Sequence, residues 1–86
     1  MTIDFHKSFT KQAKNLKPTQ KQRFAVALRL FRVEPHHPDL YNHELSGKWR
    51  GHRSISFGGD WRAHYKVIDK DTVLFVAIGS HSQLYG

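Results

Sequence analysis

Ile3 and Phe5 flank Asp4, an alternation of period two that predicts a short opening strand. Phe9, Ala13 and Leu16 then recur at helical spacing with lysines between them, which predicts an amphipathic helix from Lys7 to Leu16. Pro18 suits the first turn of a second helix. In it, Phe24, Ala27, Leu28 and Phe31 make one apolar stripe that Val26, Leu30 and Val33 widen, so this helix is expected to be the more deeply buried. It has to stop before Pro35, because the residue ahead of a proline is pushed out of helical geometry.

From Pro35 to Lys48 the pattern gives way to Pro, His, Asn, Ser and Gly, a loop long enough to be a candidate wall for a site. Trp49, Gly51, Arg53, Ile55 and Phe57 then alternate with Arg50, His52, Ser54 and Ser56, and Trp61, Ala63, Tyr65 and Val67 alternate with Arg62, His64 and Lys66. These are two strands of a hairpin. A two-residue turn would set Trp61 beside Ser56 and mix the apolar and polar rows; a three-residue loop, Gly58-Gly59-Asp60, pairs Phe57 with Trp61 and Ile55 with Ala63. The longer loop gathers His52, Ser54, Ser56, Arg62, His64 and Lys66 on one polar, basic face and assigns Trp49, Trp61 and Tyr65 to the core. After the turn Asp69-Lys70-Asp71, residues Thr72 to Ile78 are apolar on both faces and belong inside the sheet. The order is strand, helix, helix, then three strands: one α+β domain over residues 1–86, with two helices on one face of a mainly antiparallel sheet.

Composition narrows the partners. Fourteen Lys and Arg against seven Asp and Glu give a net charge of +7, which suits a polyanion such as nucleic acid or an acidic protein. With no cysteine, neither disulfides nor a thiolate zinc site can staple so small a core. Seven histidines raise a metal reading, but no HExxH or comparable helical pair is present, and His36-His37 lies between Pro35 and Pro38 as a linker would; no metal or other cofactor is expected. The start lacks a signal-peptide pattern, and the longest apolar run is broken by Arg29. A cytoplasmic protein with no membrane association is the expectation.

Four pieces in register carry a specific likeness: His43-Glu44-Leu45-Ser46-Gly47, the strand through Arg53, the pair Asp60-Trp61, and Gly79-Ser80-His81-Ser82-Gln83-Leu84-Tyr85. Together they resemble the YafQ family within the RelE toxins, over about the second half of the chain. The resemblance implies the toxin of a type II toxin–antitoxin system with a RelE-like fold. It implies an endoribonuclease that needs no metal, cuts messenger RNA in the ribosomal A site, and is neutralised by a cognate antitoxin. The family's catalytic positions fall on His43, Asp60, His81 and Tyr85, and one further family histidine falls on Ser56, a departure that removes a titratable side chain.

The chemistry asks for the same residue types. Attack of a ribose 2′-hydroxyl on the adjacent phosphate needs a base, an acid for the departing 5′-oxygen, and positive charge on the phosphate oxygens. His81 is the candidate acid, His43 or Asp60 the base. Tyr85 can stack on a base or anchor the C-terminus, and Asp60 can equally close the hairpin. Arg50, Arg53 and Arg62 suit phosphate by guanidinium geometry, Lys48 adds diffuse charge, and His64 lies diagonal to Ser56 as a possible stand-in for the missing imidazole. The alternative is a catalytically weakened RNA- or ribosome-binding protein on the same fold, favoured by Ser56. A DNA-binding repressor is weaker, because the second helix spends its apolar stripe on the core.

Overall fold

In the computed structural model, which describes residues 1–85, the alternating start of the chain forms strand β1 (Thr2–Phe5). Helix α1 (Lys7–Ala13) follows, capped by His6, whose Nδ1 accepts the Ser8 backbone N–H at 3.0 Å. It ends short of the expected Leu16. Asn15 and Leu16 instead bond three residues back, to the carbonyls of Gln12 and Ala13, and this tighter turn delivers the buried Leu16 to the core. Helix α2 (Pro18–Val33) starts at its proline and stops at Glu34, whose φ of −146° and ψ of 85° lie outside helical range ahead of Pro35. Ala27 and Phe31 are buried with Phe24, Leu28 and Leu30 packed beside them, but Val26 and Val33 face solvent. The stripe is narrower than expected because the sheet covers only one side of the helix.

The segment from Pro35 to Lys48 is organised rather than structureless. It holds a 3₁₀ turn (Pro38–Leu40), strand β2 (His43–Glu44) and the start of a second 3₁₀ turn (Gly47–Trp49). His37 caps the first turn by accepting the Asp39 N–H at 3.0 Å, and buried Leu40 pins that turn to the core. Strands β3 (Arg53–Ser56), β4 (Trp61–Asp69) and β5 (Thr72–Ser80) and a short helix α3 (His81–Tyr85) complete the chain. The five strands lie in the order β1-β5-β4-β3-β2, with β1 parallel to β5 and the other pairs antiparallel. The fold is the expected α+β class, with β2 and α3 added to the expected elements. No helix among the described residues is long and apolar enough to cross a membrane.

The hairpin adopts the three-residue register: Ile55 lies opposite Ala63, Ser56 opposite Arg62, and the Phe57 N–H reaches the Trp61 carbonyl at 3.2 Å. The strand expected from Trp49 to Phe57 is cut to Arg53–Ser56. Gly51, at φ 87°, turns the chain just before it, a conformation that glycine adopts without a Cβ penalty. This turn carries Trp49 out of the core row and onto the other face of the sheet, which corrects its core assignment.

Strand β5 is apolar on both faces for a definable reason. Its partner register passes from His64–Ala77 to Tyr65–Phe75, leaving Val76 as a bulge, so that Phe75 and Ile78 both face the helices while Ala77 faces away. Phe75 then forms the hub of the core, with ring centroids 5.9 Å from Phe5, 5.8 Å from Phe9 and Phe24, 5.5 Å from Phe31 and 5.3 Å from Tyr65. Truncating so enclosed a ring costs about 3–5 kcal/mol. Where β1 ends, α1 takes over the edge of β5 with side chains. Ser8 Oγ donates to the Val76 carbonyl at 2.7 Å, and the Ile78 N–H donates to Gln12 Oε1 at 3.0 Å.

Candidate functional site

The sheet face away from the helices carries the residues of interest. Register sets His43, Ser54, His64 and Ala77 side by side across β2, β3, β4 and β5, and beside them Ser56, Arg62 and Gly79. The first row is roofed. Trp49, from the second 3₁₀ turn, donates its Nε1–H to the Leu84 carbonyl of α3 at 3.1 Å, tying two separate segments together above the sheet. Five rings then follow in contact: His52 to Trp49 at 5.4 Å between centroids, Trp49 to His64 at 4.5 Å, His64 to Tyr85 at 5.3 Å, and Tyr85 to His81 at 4.4 Å.

This roof corrects the expectation of an open polar face. Ser54 and His64 have no exposed surface. His64, expected to meet RNA directly, lies under Trp49 and Tyr85, which come from positions far away in sequence. Burial, reinforced by the surrounding positive groups His52, His43, Arg62 and His81, lowers the His64 pKa from 6.5 to about 4. It is a neutral ring at neutral pH, encircled by the histidines the sequence singled out.

His43 is exposed, with its Nδ1 2.8 Å from the Tyr41 carbonyl. A carbonyl only accepts, so Nδ1 carries the proton, and in the neutral ring Nε2 is left with a free lone pair. That is the arrangement of a base. His81 opens α3 with its ring exposed against Tyr85, and its backbone N–H donates to the Asp60 carbonyl at 2.8 Å, which sets those two residues at one end of the sheet. Asp60 itself is exposed in the hairpin loop. Burial raises the Tyr85 pKa, against opposing effects of the Arg62 charge and the nearby Ser54 hydroxyl, so the phenol is protonated at neutral pH. The Ser54 contact is not a formed hydrogen bond, because Ser54 Oγ has no partner.

Ser56, where the missing imidazole would sit, accepts from Arg62 Nη1 at 3.1 Å; the same nitrogen donates to the Gly59 and Trp61 carbonyls at 2.7 and 2.9 Å. Arg62 is thereby fixed along the rim. Arg53 is not part of this face. Its register partner is the core residue Tyr65, its Nε donates to Asn42 Oδ1 at 2.8 Å, and its Nη1 lies 3.4 Å from Glu44 Oε1. These contacts hold the guanidinium beside β2, away from the row that carries Ser56 and Arg62. Lys48 and Arg50 are exposed in the turn beside the roof, next to a groove of about 770 Å³ that runs along His52, Arg53 and Val67.

Asn42 is a residue the sequence reading passed over. Its Nδ2 donates to the Pro35 carbonyl at 2.9 Å and to the Tyr65 hydroxyl at 2.7 Å, while its Oδ1 holds Arg53. It staples the long connection to the sheet and so positions the next residue, His43. The only sequence signal was a polar amide beside a candidate catalytic residue. No group of three or more His, Cys, Asp or Glu side chains able to hold a metal occurs among the described residues.

Among curated proteins, none matches the chain by sequence. The model of the family described as "Bacterial toxin of type II toxin-antitoxin system, YafQ" matches residues 1–86. A conserved hypothetical protein from Helicobacter pylori shares 28% identity at a TM-score of 0.76, covering 98% of each chain. The toxin in an Escherichia coli DinJ–YafQ complex shares 27% identity at a TM-score of 0.71, over 98% of this chain and 97% of that one. A chain of the archaeal RelE–RelB complex from Pyrococcus horikoshii, at 21% identity and a TM-score of 0.74 over 95% and 96% of the two chains, has the same fold. With the family match running from the first strand through His81 and Tyr85, this chain belongs to the YafQ family of bacterial toxins of type II toxin–antitoxin systems.

Proposed function

We propose that the protein is a cytoplasmic endoribonuclease that cuts messenger RNA in the ribosomal A site and thereby halts translation. The observation that carries the reading is the rim around His64: His43 with a free Nε2, His81, Tyr85 and an immobilised Arg62 bordering one sheet face. In this reading His43 Nε2 removes the proton of a ribose 2′-hydroxyl, with Asp60 as the other candidate base. The 2′-oxygen bonds to phosphorus, the bond from phosphorus to the 5′-oxygen breaks, and protonated His81 gives its proton to that leaving oxygen. Arg62, with Lys48 and Arg50, faces the charge on the phosphate. The products are a 2′,3′-cyclic phosphate and a 5′-hydroxyl.

The test is cleavage of messenger RNA on programmed ribosomes, with both new ends identified. His81→Ala is expected to slow it by about 100- to 10,000-fold. A 2′-deoxy nucleotide at the cut site should block it. Ser56, a hydroxyl bound to Arg62 where an imidazole would titrate, favours a second reading: an RNA- or ribosome-binding protein with a weakened site. Ribosome binding with no new RNA ends would establish that reading instead.

The partner in this proposal is a cognate antitoxin. The DinJ–YafQ complex of the E. coli relative supports it, and so does charge: from Phe5 to Val33 the chain carries eight Lys and Arg, all exposed, and no Asp or Glu. An acidic or amphipathic segment would cover this surface with fast, salt-sensitive association. Co-expression with the product of the adjacent reading frame should give a complex on size exclusion; separate elution of the two proteins would count against it.

A further inference from the structure

Ser54 Oγ and both ring nitrogens of His64 are buried without a hydrogen-bond partner. They sit together, since Ser54 and His64 are directly opposed across β3 and β4. A neutral imidazole offers one donor and one acceptor, and a hydroxyl offers both, so this spot holds several unused hydrogen-bonding positions. Buried polar groups are normally paired, and a cluster left unpaired calls for a partner that the free protein does not supply.

The cover above them is unequal in strength. Trp49 is tied to the Leu84 carbonyl, and Leu84 is buried. Tyr85 is half-exposed and leans on the exposed ring of His81. Of the two rings over His64, Tyr85 is the one whose side chain can turn without breaking the Trp49–Leu84 tie.

We propose that the space beneath Tyr85 is a recognition subsite for one nucleobase of bound RNA, which displaces the tyrosine ring and pairs its edge with His64 and Ser54. The proposal rests on the RNA-cleaving reading and adds to it where base identity is sensed. A base fits better than a phosphate. His64 is neutral at neutral pH, with a pKa of about 4, and so lacks the charge that would offset burying a phosphate; the fixed charge nearby is that of Arg62, along the rim. A flat base brings donors and acceptors on its edge and a π-face for Trp49 or the displaced Tyr85.

The experiment uses the full chain, ¹⁵N-labelled, titrated with 2′-O-methyl trinucleotides of A, C, G or U, which cannot be cut for lack of a free 2′-hydroxyl. The tightest-binding trinucleotide should move the His64 ring nitrogen resonances and exceed the weakest in affinity by about tenfold, the equivalent of about one net hydrogen bond. Ser54→Ala and His64→Leu should each compress that preference to about twofold, as unmade hydrogen bonds no longer penalise the wrong base. Unmoved His64 resonances at saturation, a preference that survives both variants, or no binding by any trinucleotide would overturn the proposal. If His64→Leu fails to fold, Ser54→Ala and the parent spectra decide. Absence of cleavage on ribosomes, by contrast, sinks the nuclease reading and leaves the trinucleotide result to judge this subsite by itself.

Discussion

An imidazole that titrates at 6.5 in an unfolded chain titrates at about 4 as His64 of the folded protein. As pH falls through this window the unfolded state takes the proton first, so the stability His64 contributes is whole above 6.5 and is lost toward 4. The difference is worth about 3 kcal/mol. Denaturant melts at pH 7 and pH 4.5 should show a drop of that order, and His64→Leu should flatten it; an equally steep drop in the variant would refute the assignment. Ser56 is the opposite case, a residue expected to matter little as it stands. Ser56→Ala leaves Arg62 Nη1 its two carbonyl acceptors, for a stability loss of about 0.5–1.5 kcal/mol and little change in cleavage. Ser56→His should raise single-turnover cleavage on ribosomes. If Ser56→Ala abolishes cleavage as fully as His81→Ala, the serine is essential and the division of roles around Arg62 is wrong.

Besides the His81–Asp60 bond, helix α3 is held at its start by a reciprocal pair, in which the Gln83 N–H donates to Ser80 Oγ at 3.2 Å. Gln83 Oε1 accepts the Ser80 N–H at 2.8 Å, and a Cβ on Gly79 would lie 2.8 Å from that same oxygen. Gly79→Ala should push Gln83 aside and free the Ser80 N–H, costing about 1 kcal/mol. Amide exchange should then quicken in residues 80–85 while β3 and β4 stay protected; uniform protection would show that the contact does not matter. Elements differ in how far the sequence disclosed them. The hairpin register was legible because the glycine-rich loop and the two alternating rows admit one consistent pairing. Burial of Ser54 and His64 was not, since their alternation looks like a solvated face and their cover comes from Trp49 and Tyr85. Nor was the face of Trp49, because a positive φ at Gly51 breaks the alternation that assigned it. β2 and α3 are too short for any period to declare them.

At the scale of the molecule, the candidate site residues came mostly from family likeness in the second half of the chain, and their common setting from the sheet. The two-helix layer, whose charged side chains from Phe5 to Val33 are all positive, gives the molecule a second basic surface on the opposite side of that sheet. Every residue of β1 pairs with one 70 positions later, Thr2 with Thr72 through to Phe5 with Phe75. Such a contact demands closure of nearly the whole chain, whereas the β3–β4 hairpin closes locally. Ile3→Val should therefore speed unfolding with little effect on the folding rate, and Ile55→Val should slow folding; stopped-flow chevrons with the reverse pattern would show that β1 docks early.

The parallel β1–β5 pair also ties activity to the order of synthesis. The first strand made has no neighbour until the chain beyond Asp71 exists, and the same late stretch supplies His81, Tyr85 and the Leu84 carbonyl that roofs the site. A growing chain holds the helices and their lysines long before it holds a working rim. If the rim cuts RNA as proposed, a growing chain can do so only after His81, Leu84 and Tyr85 have been made and β5 has received β1.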